Sequence, residues 1–309
     1  MNLLEIAELS EEEARQELEK LRWPDSPICP HCGSLESAGK VTGKSVRDGL
    51  YWCSACGKQF TVTVGTVMEG THLTMKQWLM AFHLMCSSKK GVSALQLQRE
   101  LGLGSYKTAW HLAHRIRLAM NELPLAKLLE GIVEVDETYI GGRPARDPNN
   151  KRGRGTEKTP VVALIERDGK AIVQPVKAVD SATLKSIIKL YVSEQARIMT
   201  DEWKAYNGLS KDFSSHQTVN HGQREYSRKG VHVNHNEAFF ALLKRGLHGI
   251  FHHVSDKHLG RYCQEFSFRW NFRFVNDGER CDQVVRQVVN KRLLRRELLK
   301  EGKEINGTH

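Results

Sequence analysis

Three acids and one amine stand at positions suited to metal-dependent chemistry on phosphates: Asp136, Asp201, Glu237 and Lys244. Asp136 interrupts the apolar run GIVEVDETYI, where an unpaired buried carboxylate is costly and so demands a partner. Asp201 follows Ile198-Met199-Thr200, at the carboxyl end of a strand-like stretch, the edge where open α/β sheets usually hold ligands. Thirty-five residues separate Asp201 from Glu237. Glu237 and Lys244 are seven residues apart, two helical turns, so both project from one face of a helix whose intervening residues, Ala238 to Leu243, are all apolar. Carboxylates brought together from a central strand, a neighbouring strand end and a following helix can hold two Mg²⁺ or Mn²⁺ ions, which favour hard oxygen ligands. Two such ions activate an attacking oxygen and stabilise a leaving one in phosphoryl displacement. Lys244, with Arg245 beside it, would then reach a DNA backbone. Each acid also has a purely structural reading. Asp136 pairs with a base, Asp201 caps a helix starting at Glu202, and Glu237 closes a capping box with Asn234. The last leaves Lys244 unexplained.

Four cysteines make a second chemical centre. Cys29-Pro-His-Cys32-Gly and Cys53-Ser-Ala-Cys56-Gly repeat one pattern with twenty residues between. Two such pairs complete a tetrahedral site for one structural Zn²⁺, with no position left for water. Gly33 and Gly57 follow each pair where a tight turn needs no side chain. His31 is read as a turn residue, and Cys86, Cys263 and Cys281 as ordinary packing or surface residues.

The elements that must position these groups follow from periodicity and punctuation. Residues 1–27 form an acidic helical segment capped by Ser10 with Glu13, and 28–72 a zinc ribbon. Residues 73–124 form a helical domain. Ser93 opens one helix, the LGLGS turn closes it, and a second runs from about Tyr106 to Met120, the outline of a helix-turn-helix. A packing αα-hairpin is the alternative. Lys107, His111, His114, Arg115 and Arg117 form its candidate groove-facing set; Lys107, His111 and Arg115 are the leading DNA contacts. From 128 to 275 the pattern changes to a mixed α/β sheet. It holds GIVEVDETYI, then a hairpin of two strands turning at Arg167–Lys170, an amphipathic helix SATLKSIIKLYVSE, the strand ARIMTD and a last strand at HQTVNH. Strand alternation sets Glu137 opposite Asp136. Between Arg143 and Lys158 a Gly-, Pro- and base-rich loop offers Lys151, Arg152 and Arg154 to a DNA backbone. Glu265 pairs with Arg269 at i,i+4 and is the reserve third acid. Residues 276–309 read as a basic helix and tail that contacts DNA or another subunit.

Composition agrees with this assignment. Net charge is +10 and the isoelectric point about 9.2, an excess of Lys and Arg that suits a polyanionic partner such as double-stranded DNA. No secretory signal or bilayer-length apolar run is evident, so the protein is expected in the cytoplasm, associated with the nucleoid.

The blocks VDETYIGG, TDEWKAY and HNEAFFALLKRG, with FHHVSDKHLGRYCQEFSFRWNFR downstream, resemble bacterial insertion-sequence transposases of the DDE superfamily, in the group with an amino-terminal zinc ribbon. The resemblance runs from the ribbon to about residue 275. It implies an RNase H-like catalytic domain, dependence on divalent metal, Asp136, Asp201 and Glu237 as metal ligands with Lys244 beside them, cleavage at transposon ends with transfer of the 3′-hydroxyl into target DNA, and a multimer on DNA. Two alternatives stay open: a zinc-ribbon DNA-binding regulator without catalysis, which leaves the acids unemployed, and an RNase H-like nuclease that cuts without joining.

Overall fold

Short polar caps punctuate the amino-terminal part of the computed structural model, which describes residues 1–122, 126–141, 158–223, 225 and 227–300. Asn2 and Ser10 close reciprocal capping boxes on α1 (Leu3–Glu8) and α2 (Glu11–Arg22), the second with Glu13 as the sequence suggests. Three short antiparallel strands follow in the order β1 (Ala38–Lys40), β2 (Tyr51–Cys53), β3 (Gln59–Phe60). Thr74 caps α3 (Met75–Ser87), Ser93 caps α4 (Ala94–Glu100), and Ser105 caps α5 (Tyr106–Ala119). The turn between α4 and α5 passes through Gly102 at φ 61°, a left-handed conformation that glycine adopts freely.

Residues Asn121–Arg273 form a second unit built on a five-stranded sheet. Its strands are β4 (Ile132–Ile140), β5 (Thr159–Glu166), β6 (Ala171–Pro175), β7 (Arg197–Asp201) and β8 (Ser215–Val219), lying in the order β6-β5-β4-β7-β8. The first three pair antiparallel, whereas β7 runs parallel to β4 and β8 parallel to β7. This mixed order, 3-2-1-4-5 in chain sequence, is the RNase H-like arrangement.

Alternation along the strands divides the core in two. Val133, Val135, Val162, Leu164 and Ile172 face α6 (Ser181–Tyr191), whose Leu184 and Ile188 are fully buried. Val161, Ala163, Ile165, Ala171 and Val173 face the opposite layer, made of α7 (Asn234–Gly246) and α8 (Asp256–Asn271). On α7 the buried positions Asn236, Phe239, Phe240, Leu243 and Gly246 form one helical stripe. The helix therefore sits on the sheet with Glu237 turned outward. Emptying the Phe239 site would cost about 3–5 kcal/mol.

The carboxyl-terminal segment is not a separate tail. α9 (Asp277–Arg286) packs on α3 and α2, and residues from Phe274 onward belong to the same unit as residues 1–120. Buried Cys281, Val284 and Val285 supply its apolar stripe. Beyond it the Asn290 N–H donates to Gly65 O at 2.8 Å, and the Lys291 ammonium to Ala119 O at 3.0 Å. α10 (Arg295–Lys300) ends the described chain. The described residues of segments 1–27, 28–72 and 276–309, drawn apart on composition, thus share one unit with residues 73–120. Among the described residues no helix is long and apolar enough to cross a membrane.

Candidate active site

In the first unit the two C-x-x-C turns face each other. Cys29 Sγ lies 3.7 Å from Cys56 Sγ, and Cys32 Sγ 3.7 Å from Cys53 Sγ; all four sulfurs fall within 4.8 Å of one another. A tetrahedron with Zn–S bonds of about 2.3 Å has edges of roughly 3.8 Å, so the cage fits zinc. Gly33 and Gly57 adopt φ 76° and 68°, as the knuckle turns require. Burial pushes the Cys29 thiol up, but N–H groups of His31 and Cys32 and the adjoining thiols outweigh it and bring it to about 6. His31 spends its Nε2 on Gln59 O at 3.3 Å, as a turn residue and not a fifth ligand.

In the second unit two of the acids lie just past the paired stretch of β4 and β7. Glu134 pairs with Met199; two residues further along both strands come Asp136 and Asp201. Parallel partners share a face about 4.8 Å apart. The third acid arrives from α7, and the electrostatics register all three. The Asp136 carboxyl is pushed up to about 8, first by burial, then by the negative charges of Glu137, Asp201 and Glu237, against one N–H bond from Glu137 at 2.8 Å. Asp201 Oδ1 accepts the Trp203 N–H at 3.0 Å in a local turn, but it caps no helix: none starts at Glu202, and the short helical turn Lys204–Tyr206 begins after Trp203 without a side-chain cap.

The capping box on Glu237 does not form. Asn234 already lies inside α7, and no side chain of the helix caps its start. Glu237 stands exposed on the stripe with Ala241 and half-buried Lys244. Burial pulls the Lys244 ammonium below the usual lysine range, while Asp136 works the other way and Lys158 adds to the lowering. Lys244 is therefore within electrostatic reach of Asp136, and Lys158 within reach of Lys244. Glu137 projects to the opposite face as alternation requires, and its carboxylate accepts from buried Tyr206 Oη at 2.7 Å.

A feature absent from the sequence reading lies beside the acids. Glu134, fully buried on the Asp136 face of β4, receives Arg167 Nε at 2.6 Å and the backbone N–H of His235 at 2.9 Å. The imidazoles of His235 and His232 bring Nδ1 to 2.9 and 3.1 Å from the same carboxylate. In the sequence Glu134 stands in GIVEVDETYI two residues before Asp136, and that second acid on an apolar strand is the available signal.

The remaining sequence-derived contacts fall into three sets. On α5 only the first turn is open: Lys107 is exposed, whereas His114, Arg115 and Arg117 are buried. Arg115 does not face a groove; its guanidinium donates to Glu69 O and Leu293 O because the carboxyl-terminal segment packs over it. His111 likewise turns Nε2 to Leu293 O at 3.1 Å. Lys107, His111 and Arg115 nevertheless line one cavity of about 300 Å³, together with Ser105, Trp78 and Arg295. Arg245 is exposed on α7. Lys151, Arg152 and Arg154 lie outside the described residues. Glu265 is fully buried in its ion pair with Arg269 at 2.6 Å, the structural role expected of it.

Comparison with known proteins matches both centres. Residues 128–271 match the family described as ISXO2-like transposase domain, and residues 9–59 the transposase zinc-ribbon domain. A Halobacterium salinarum protein described as an uncharacterized protein in transposable element ISH50 is 31% identical over 275 residues, covering 84% of this chain and 91% of that protein. Among solved structures, the Mos1 Strand Transfer Complex overlays at a TM-score of 0.29 with 12% identity, covering 69% of this chain and 75% of the other. The Mos1 transposase paired-end complex with left transposon end gives 0.27 and 13%, covering 63% and 70%. Overlays this loose carry no mechanistic weight.

Proposed function

The chain belongs to the ISXO2-like transposase family, and from that premise we propose that it cuts DNA at the ends of an insertion sequence and transfers the freed 3′-hydroxyl into target DNA. The observation that supports this reading is electrostatic: the Asp136 carboxyl is pushed up to about 8 by burial and by the charges of Glu137, Asp201 and Glu237. Carboxylates that crowd a buried acid favour a cation among them. Hard oxygen donors suit Mg²⁺ or Mn²⁺.

The three acids would hold two such ions, which supply activation of the attacking oxygen and stabilisation of the leaving one. Lys244 and Arg245 project from the face of α7 that bears Glu237 and would bind the DNA backbone at the cut, positioning the phosphate for in-line attack. Lys158 supplies a further positive charge there. The buried Tyr206 hydroxyl holds Glu137 and keeps that acid turned away from the metal ligands. The zinc-bearing ribbon and the open first turn of α5, with Lys107, would contact double-stranded transposon ends. Their positive charge supplies a salt-dependent share of affinity. Action as a homo-oligomer on paired ends, in the bacterial nucleoid, completes the proposal.

The deciding experiment is strand transfer with precut ends and Mg²⁺. Joined product is expected from the native chain. End binding and cutting without any joined product would identify a nuclease instead, and normal behaviour of Asp136→Ala would identify a regulator.

A further inference from the structure

Helix α7 must deliver Glu237 to the two aspartates, yet its own sequence gives its start no side-chain cap. First-turn N–H groups need acceptors, and a carboxylate is the most favourable because the helix dipole is positive at that end. The acceptor comes from another strand. Glu134 Oε2 takes the His235 N–H at 2.9 Å. Its Oε1 takes Arg167 Nε at 2.6 Å, and Arg167 also donates to Gly230 O at 2.8 Å and His232 O at 3.1 Å. One buried anion thus ties the sheet, the β5–β6 hairpin and the segment entering α7.

The spacing of this contact set matters. Asp136 lies two residues beyond Glu134 on β4, Asp201 two beyond its strand partner Met199, and Glu237 two beyond His235. Every acid of the cluster is therefore a short, regular arm away from a residue anchored at or beside the Glu134 carboxylate. Asn236 adds a second tether one residue on, donating Nδ2 to Ala163 O at 3.1 Å.

We propose that Glu134 is a positioning residue: it acts as a remote N-cap for α7 and thereby fixes where Glu237 stands relative to Asp136 and Asp201. The inference rests on the functional reading above, which makes those three acids the metal ligands. A rival use of the same atoms is a metal site, since ligand atoms of Glu134, His232 and His235 fall within 4.8 Å of one another. The Arg167 guanidinium decides against it. It already sits on the carboxylate oxygen shared with both imidazoles, held there by two carbonyls, and a second cation at that oxygen would face it directly.

The test compares the full-length, zinc-loaded native protein with Glu134→Gln by Mn²⁺ titration, followed by electron paramagnetic resonance, and by the Mg²⁺ dependence of end cleavage. Glutamine keeps an acceptor but loses the charge. A weakening of Mn²⁺ binding by about 10-fold or more is expected, the scale seen when a group supporting metal ligands is lost. The cleavage rate should recover in part at high Mg²⁺, which general loss of fold would not allow. If Glu134→Gln does not fold, Arg167→Lys keeps the charge pair but shortens the fork, and a smaller shift in the same direction is expected. Unchanged Mn²⁺ affinity in a folded variant overturns the inference alone. Absence of Mn²⁺ binding in the native protein overturns the functional reading and the inference with it. A second equivalent of zinc that disappears in His235→Ala assigns the cluster to metal binding and also overturns it.

Discussion

Glu134 and Asp136 lie on the same face of β4 two residues apart, yet they occupy opposite electrostatic surroundings. Glu134 is fully buried and saturated by Arg167, the His235 N–H and two imidazoles. Asp136 meets the charges of Glu137, Asp201 and Glu237. One acid is a fixed structural anion, and the other sits among like charges with Lys244 in reach. Strand alternation alone produces the pairing; the segments arriving from hairpin and helix produce the difference.

Replacing Asp136 by Asn should therefore stabilise the protein without added Mg²⁺ while abolishing cleavage. The sign follows from linkage. The carboxyl moves from an ordinary 3.8 in the unfolded chain to about 8 when folded, so the folded chain holds the extra proton between those values. Its contribution to stability is full below pH 4 and is lost as pH rises through 8. Denaturant titrations across this window, with zinc retained, should show that decline in the native protein and not in the Asn variant. At neutral pH each kcal/mol relieved should raise the melting temperature of the catalytic unit by about 2–4 °C.

Zinc should hold the first unit together. Cys32→Ser removes one corner of the sulfur cage, and zinc content should fall well below one equivalent. Structural zinc sites contribute about 10–16 kcal/mol of apparent binding energy to small domains. Loss of the cooperative melting of the first unit and of end binding is expected, while Mn²⁺ binding at the three acids persists. Full retention of DNA binding in zinc-free protein would contradict a structural role for the cage.

Lys107 and Arg115 should separate cleanly, although both were read as groove-facing. Lys107→Ala should leave stability unchanged and weaken DNA binding, reducing the salt slope by about 1. Arg115→Ala should destabilise by on the order of 3 kcal/mol, because the buried carbonyls of Glu69 and Leu293 lose a charged donor. Thermal melts and binding isotherms at two salt concentrations check both; a stable Arg115→Ala with altered DNA affinity would reverse the assignment.

What was legible in the sequence is what local pattern controls. The repeated C-x-x-C-G, the Arg167–Lys170 hairpin and the alternation through GIVEVDETYI each encode their own geometry, and all the sheet strands follow. Arg115 was misdirected because α5 is wrapped on nearly every side, and periodicity cannot reveal what covers a helix. The covering segment is itself disguised: α9 is rich in charge and shows only Cys281, Val284 and Val285 as an apolar stripe. Glu134 was missed because its partners come from 33 and 101 residues away, and a carboxylate's partner is not written beside it.

The central claim, that Asp136, Asp201 and Glu237 share divalent cations, is tested most directly by putting Fe²⁺ in place of Mg²⁺ and mapping where hydroxyl radicals cut the backbone. The expected result is scission near residues 136, 201 and 237 together, lost in Asp201→Asn while zinc content stays constant. Cuts that persist in Asp201→Asn, or that never include all three positions in the native protein, would contradict a shared metal centre.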